Sequence, residues 1–303
     1  MICVLPDELL LRILKFIDNP VDLAPLAITC QRFRRLVVDW SIWSGTIGVE
    51  AGTSHAANAL AVLAEAFTQA SEQRTTALTI AAKHNYSSIP RLFDTFLLSQ
   101  HSSYLRHIEL YAPIVQHTTL LKSLSKHPFG WTECTIRDPR NDYAVFDLNA
   151  KDYLLRWLET CRTTAEVLEL PACPSNWLMM IHGPFSNLHT LALALEPLET
   201  TTTNATAVAT GSDSQRYWER FREQFPQLRH LTLHLTQDNA FPLFKSLLSN
   251  RSLFPWIERI TIVSQEDPKK FIQQHELHVG LMRLDGLLRI TAGWDLIALD
   301  INA

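Results

Sequence analysis

Glycine is scarce: nine occur in 303 residues, under half the usual share of roughly 7%. The glycine-built loops go with it. There is no G-x-G-x-x-G, no Walker loop and no G-x-S-x-G, so neither a phosphate cradle nor a nucleophile elbow is expected. A basic excess is also missing, with 27 Lys and Arg against 31 Asp and Glu and a net charge of −4. That excludes the concentrated positive field nucleic-acid binding needs, and no nucleic-acid partner is expected. No uncharged apolar run is long enough to span a bilayer, so no membrane partner is expected. The start is broken by Asp7, Glu8 and Arg12, which argues against a signal peptide. The five cysteines (Cys3, Cys30, Cys134, Cys161, Cys173) form no C-x-x-C pair. Reduced thiols in the cytoplasm, the nucleus or both are expected, not a disulfide framework. The N-x-S/T triplets at Asn85, Asn204 and Asn250 then carry no glycan.

Catalytic constellations are lacking as well. "HELH" puts His275 and His278 three apart, whereas a zinc-binding H-E-x-x-H needs four, and no third ligand is evident. Asp138 and Asp142 stand beside Arg137 and Arg140, which reads as a local ion-pair cluster. Cys161 and Cys173 have no identifiable histidine partner. The expectation is a chain with no catalytic residues, no metal and no cofactor.

What is present is apolar: 47% of the residues against 19% charged, enough for a sizeable core. The densest stretch comes first, "VLPDELLLRILKFIDNPVDLAPLAITCQRFRRLVVDWSIW" over residues 4–43. Pro6 followed by Asp7 and Glu8 makes a good helix start. Leu9, Leu10, Ile13, Leu14 and Ile17 recur at helical spacing, and Asp18-Asn19-Pro20 ends the run. Asp22 is the expected N-cap of a second helix, with Pro25 at its third position. A third helix from about Gln31 turns Phe33, Leu36, Val37 and Trp40 inward and Arg32, Arg34 and Arg35 outward. Residues 1–47 hold five basic and five acidic side chains, so the arginines read as a solvated face. Three short helices make a meagre interior that cannot hide so many leucines, and some are expected to meet a partner. The alternative is that all of them are core.

The same residues resemble the F-box. Its pattern runs L-P-x-E-[LI]-[LIV]-x-x-I-[FL], then D-L-x-x-[LA]-x-x-V-[CS]-[KR]-x-[FW], then a closing Trp. Leu5-Pro6, Glu8, Leu9, Ile13, Leu14, Asp22-Leu23, Cys30, Phe33 and Trp43 fall where it wants them. Gln31 and Pro25 depart from it. The resemblance implies docking on the Skp adaptor, and through it on a cullin–RING ubiquitin ligase, with the rest of the chain selecting a protein substrate for ubiquitin-dependent degradation. It assigns adaptor contact to Leu5, Pro6, Leu9, Leu10, Ile13 and Leu14. Leu23, Leu26, Val37 and Trp43 complete that interface or support it. A non-degradative interaction scaffold carrying an F-box is the alternative.

Beyond an alanine-rich connecting helix over 48–72, helix-like and strand-like runs alternate. Helices are expected at 91–100, 119–127, 151–161, 214–225 and 241–250. Strands are expected at 77–80, 106–110, 133–136, 166–170, 189–193, 230–234 and 258–262. That alternation predicts an α/β fold with parallel strands joined by crossovers. "LRHIEL" (105–110), "LHTLAL" (188–193), "LRHLTL" (228–233) and "IERITI" (257–262) share L-x-x-L-x-L, with weaker copies from Trp131 and Ala165. This pattern resembles a degenerate leucine-rich repeat. Start-to-start spacings of 26, 34, 23, 40 and 29 residues are irregular, and the Asn or Cys of the repeat's ninth position is met only by Cys173.

The expected organisation is a three-helix F-box at 1–47, the connecting helix at 48–72 and an irregular leucine-rich-repeat-like α/β solenoid at 73–303. An ordinary α/β layer domain is the alternative. The low-complexity stretch 196–214 reads as a loop insertion. In a solenoid, alternate strand residues would face a binding surface. The candidates for substrate contact are His107, Glu109, Tyr111, Glu133, Arg137, Glu169, His230, Thr232, His234 and Arg259, with a solvated sheet face as the alternative.

Overall fold

The computed structural model describes residues 4–17, 20–37, 39, 45–51, 75–82, 105–126, 130–138, 145–196, 211–235, 243–244, 246–247, 253–264, 288–291 and 296–300. The chain divides into two compact units. One comprises Met1–Arg140 with Asp147–Cys161, the other Asn141–Phe146 with Arg162–Ala303.

The first unit begins with helix α1 (Asp7–Leu14). Pro6 supplies its N-cap, and the Pro6 carbonyl accepts from the Leu9 and Leu10 N–H groups at 3.1 Å. A 3-10 turn (Pro20–Leu23) precedes α2 (Ala24–Thr29). The expected N-cap Asp22 therefore lies inside the turn, and α2 starts late enough for Pro25 to fall in its first turn, where the missing N–H goes unused. Helix α3 is Gln31–Val37. Leu10, Leu14, Leu23, Ala27, Phe33, Leu36 and Val37 are buried.

Strand β1 (Gly45–Ala51) follows, which corrects the expected boundary at 47 and the connecting helix from 48. Its "GTIGVEA" holds two glycines and three β-branched residues, poor helix material that fits an extended ladder. The rest of the expected connecting helix, from residue 52, lies outside the described residues, as do the run 91–100 and most of 241–250. Strands β2 (Thr75–Ala82), β3 (His107–Tyr111) and β4 (Glu133–Arg137) continue the unit. β1, β2, β3 and β4 pair in that order, all parallel. Helix α4 (Ile114–Leu124) links β3 to β4, and α5 (Leu148–Cys161) packs beside it.

Helix α4 starts five residues before the expected run. Its polar residues Gln116 and His117 are buried. The His117 ring Nε2 donates to the Ala112 carbonyl at 2.7 Å. Asp138 Oδ2 accepts from the Ile114 N–H at 2.8 Å and closes the α4 N-terminus; Arg140 and Asp142 of the expected ion-pair cluster lie outside the described residues. Burial holds the His117 imidazole below its ordinary value of 6.5, opposed by the Ala112 hydrogen bond and the nearby Asp138 charge. The unfolded chain thus takes up a proton near 6.5 that the folded chain resists. Stability is intact above that pH and falls as the pH drops below it, by at most about 1.4 kcal/mol per pH unit for one proton. The melting temperature should fall between about pH 7.5 and about pH 5.5. His117→Gln, which keeps a donor but cannot titrate, should fall less. Equal losses in both proteins would remove His117 as the cause.

The second unit holds β5 (Val167–Pro174), α6 (Ser175–Leu178), β6 (Thr190–Leu195), α7 (Gly211–Gln224), β7 (His230–Leu235) and β8 (Arg259–Ser264). β5 to β8 again pair in sequence order and parallel. The β5 register slips between Leu170 and Pro174, where Pro171 has no N–H to give the ladder. Helix α7 takes in 211–214, trimming the expected loop insertion; residues 197–210 lie outside the described residues. β9 (Leu288–Thr291) and β10 (Leu296–Asp300) were not expected. β10 runs antiparallel to both β8 and β9; the link 292–295 is too short for a crossover, which accounts for the β9 pairing alone.

The six-residue motifs coincide in the ladder. His107 pairs with Glu133 in the first unit. In the second, Val167, Thr190, His230 and Arg259 pair in succession. First, fourth and sixth motif residues are buried: Leu105, Ile108 and Leu110, then Trp131, Cys134 and Ile136, and likewise Leu188, Leu191 and Leu193. The junction between neighbours also repeats. The Arg106 carbonyl accepts from the Thr132 and Glu133 N–H groups, Glu166 from His189 and Thr190, His189 from Arg229 and His230, and Arg229 from Glu258 and Arg259, all at 2.8–3.2 Å.

Behind the second unit's strands lies an aromatic cluster. The Trp218 ring meets Tyr217 at 5.0 Å, Phe221 at 5.3 Å and Phe254 at 6.1 Å between centroids. Its indole N–H donates to the Leu243 carbonyl and the Ser246 hydroxyl.

Candidate functional site

Two surfaces carry the residues singled out from the sequence. The first is α1 with the segment ahead of it. Helical geometry sends Leu10 and Leu14 into the three-helix core and leaves Leu9 and Ile13, spaced i and i+4, on the opposite side, and Phe16 in the turn after the helix continues the spacing. Leu9 is 44%, Ile13 43% and Phe16 85% exposed. Val4 and Pro6 are exposed beside the start of the helix. The arrangement is an apolar stripe on a short, well-supported helix, such as seats large anchors in a partner's groove.

The adaptor-contact candidates divide accordingly. Pro6, Leu9 and Ile13 are exposed, Leu5 and Leu26 half-buried, and Leu10, Leu14, Leu23 and Val37 are core. Trp43 lies outside the described residues. Val4, Phe16 and Ile28 are exposed apolar residues that the sequence reading passed over. For Phe16 the signal was available: it continues the Leu9–Ile13 spacing.

Residues 2–45 match the F-box-like family model. That match ends at the first residue of β1 and takes in the whole apolar stripe. No curated protein matches the chain. The F-box-like segment is thus the part for which the sequence pattern, the family match and the geometry of α1 coincide.

The second surface is the strand face. In the first unit, His107 stands between two carboxylates, with Nδ1 at 2.6 Å from Glu133 Oε2 and Nε2 at 3.1 Å from Glu109 Oε1. The Thr79 hydroxyl donates to the other Glu109 oxygen at 3.0 Å. Three adjacent strands are thereby laced together by half-exposed side chains. Tyr111 and Arg137 are half-buried one step further along, paired in register. In the second unit, Glu169, His230 and Thr232 are half-buried and Arg259 is exposed. His230 Nε2 lies 3.6 Å from Glu258 Oε2, and Arg229 lies 3.6 Å from Oε1 of the same carboxylate.

His234 does not share this surface. It is 4% exposed, although it alternates with His230 and Thr232. Residues 170–174, 191–195 and 233–235 are buried without alternation, so both faces are covered at that end of the strands and the period-two rule no longer separates inside from outside.

The buried thiols are held protonated. Burial pushes Cys161 up to about 12, and Cys134 and Cys173 well up, which makes all three poor nucleophiles. Among the described residues, no cluster of three or more His, Cys, Asp or Glu has metal-holding geometry, and no helix is long and apolar enough to cross a membrane. The "HELH" histidines and Asp142 lie outside the described residues.

Proposed function

We propose that the chain is a substrate-recognition adaptor of a Skp–cullin–F-box ubiquitin ligase. In this reading the F-box-like segment is the handle, the strand-and-helix remainder is a degenerate leucine-rich-repeat solenoid, and the strand face takes a protein substrate. F-box domains generally bind the Skp adaptor. The observation that carries the reading is the exposed apolar stripe made by Leu9 and Ile13 on α1 and Phe16 in the turn after it, which lies inside the matched residues 2–45. Strands paired in sequence order, motifs in register and the recurring two-donor junction support a repeat architecture. The chain itself supplies no chemistry; ubiquitin transfer belongs to the cullin–RING partner, in the cytoplasm or nucleus.

The test is reconstitution. The full chain, co-expressed with the Skp adaptor, should elute as a one-to-one complex that then takes up cullin and RING subunits. A folded chain that stays free of the adaptor at micromolar concentration would end the proposal. Adaptor binding that excludes cullin would move the protein to the scaffold reading.

A further inference from the structure

The start of α1 is held from outside the helix. Its N-cap is a proline with no side-chain hydrogen bond to give, so no capping side chain within the segment fixes the approach of the chain. The restraint comes from α3, 25 residues later in sequence. Arg32 Nε donates to Asp7 Oδ1 at 2.7 Å, and Nη2 reaches both that oxygen and the Leu5 carbonyl at 2.5 Å. One planar guanidinium thus grips a first-turn carboxylate and the backbone two residues before it. A lysine ammonium lacks the rigid planar fork that aims separate N–H groups at both.

We infer that Arg32 is the positioning residue of the apolar docking edge, tying the Leu5–Asp7 segment to α3 and setting the direction in which Val4, Pro6, Leu9 and Ile13 are presented, a role that rests on the docking reading above. Arg32 is only part-buried and need not touch the partner. It acts by keeping the edge ordered before encounter, so that the ordering entropy is not charged against binding. Its pattern neighbour Gln31, which departs from the F-box consensus, is exposed and makes no such link in the geometry described.

The experiment uses the full chain with Arg32→Ala, Arg32→Lys and, as control, Arg35→Ala, an exposed arginine on the same helix. Arg32→Ala should weaken adaptor binding about tenfold with little change in melting temperature. It should also speed amide exchange at Leu9 and Leu10, whose N–H groups bond the Pro6 carbonyl. Arg32→Lys should recover part of the affinity, because contact with Asp7 survives while the Leu5 carbonyl is lost. Arg35→Ala should change neither. Arg32→Ala indistinguishable from Arg35→Ala in exchange and affinity would overturn the inference. If the native chain fails to bind the adaptor at all, the docking reading is what fails, and the exchange rates of Leu9 and Leu10 alone decide whether Arg32 holds the segment.

Discussion

Leu9→Asp combined with Ile13→Asp should abolish adaptor binding while leaving the chain folded. Both side chains point away from the core and are more than two-fifths exposed, so each change should move stability by no more than about 0.5 kcal/mol. At a docked interface the same carboxylates would be forced into an apolar groove without counter-charges. Two central anchors worth about 2 kcal/mol each imply at least about a hundredfold loss of affinity. Leu10→Asp makes the contrast. Leu10 is 1% exposed, and a carboxylate there is an unpaired buried charge that should unfold the three-helix segment. Isothermal titration of each variant against the purified adaptor, beside its circular dichroism melt, separates the two mechanisms. Undiminished binding by the Leu9/Ile13 variant would sink the stripe as the docking site.

Trp218→Ala should be the most damaging single change in the second unit, at about 3–5 kcal/mol. The ring is fully buried, has aromatic edges on three sides, and its N–H serves both the Leu243 carbonyl and Ser246. Truncation removes the packing of α7 against Phe254 and leaves a cavity that the surrounding rings cannot fill without leaving their rotamers. Trp218→Phe keeps most of the ring contact and loses only the donor. The Leu243 carbonyl still accepts from the Ser246 hydroxyl at 2.7 Å, so the cost should be about 1 kcal/mol. Urea unfolding followed by tryptophan-independent circular dichroism would measure both. Equal costs would show that the hydrogen bonds, not the packing, hold the cluster.

Strand positions were the most legible part of the fold. Apolar residues at the first, fourth and sixth motif positions leave little freedom for register, and even the weak copies at Trp131 and Ala165 align with the strong ones. The helices were legible where their buried faces were apolar, as in α5 and α7. The start of α4 was not, because Gln116 and His117 are polar residues that the fold buries, and in a string of letters they look like surface residues. β1 hid behind the alanine-rich stretch that follows it, and its partner strand lies too far along the chain for local pattern to find. Within the F-box-like segment the pattern named the right residues without saying which point in and which point out. Leu9 and Leu10 are adjacent and identical in type; only the packing of α1 against α3 separates an anchor from a core residue. His234 failed for a related reason, since alternation marks a surface only while one face of a strand is open.

β6, β7 and β8 each pair with the strand immediately before them, whether the motifs start 23 residues apart, as at Ala165 and Leu188, or 40 apart, as at Leu188 and Leu228. Loop-closure entropy grows only with the logarithm of length, so the longer step is disfavoured by about 0.5 kcal/mol. Crossover length is therefore a nearly neutral variable in this protein. Segments of 15 or so residues between β6 and α7 can be gained, lost or replaced over generations, or at the bench by a spliced-in reporter, without asking any strand to find a different neighbour.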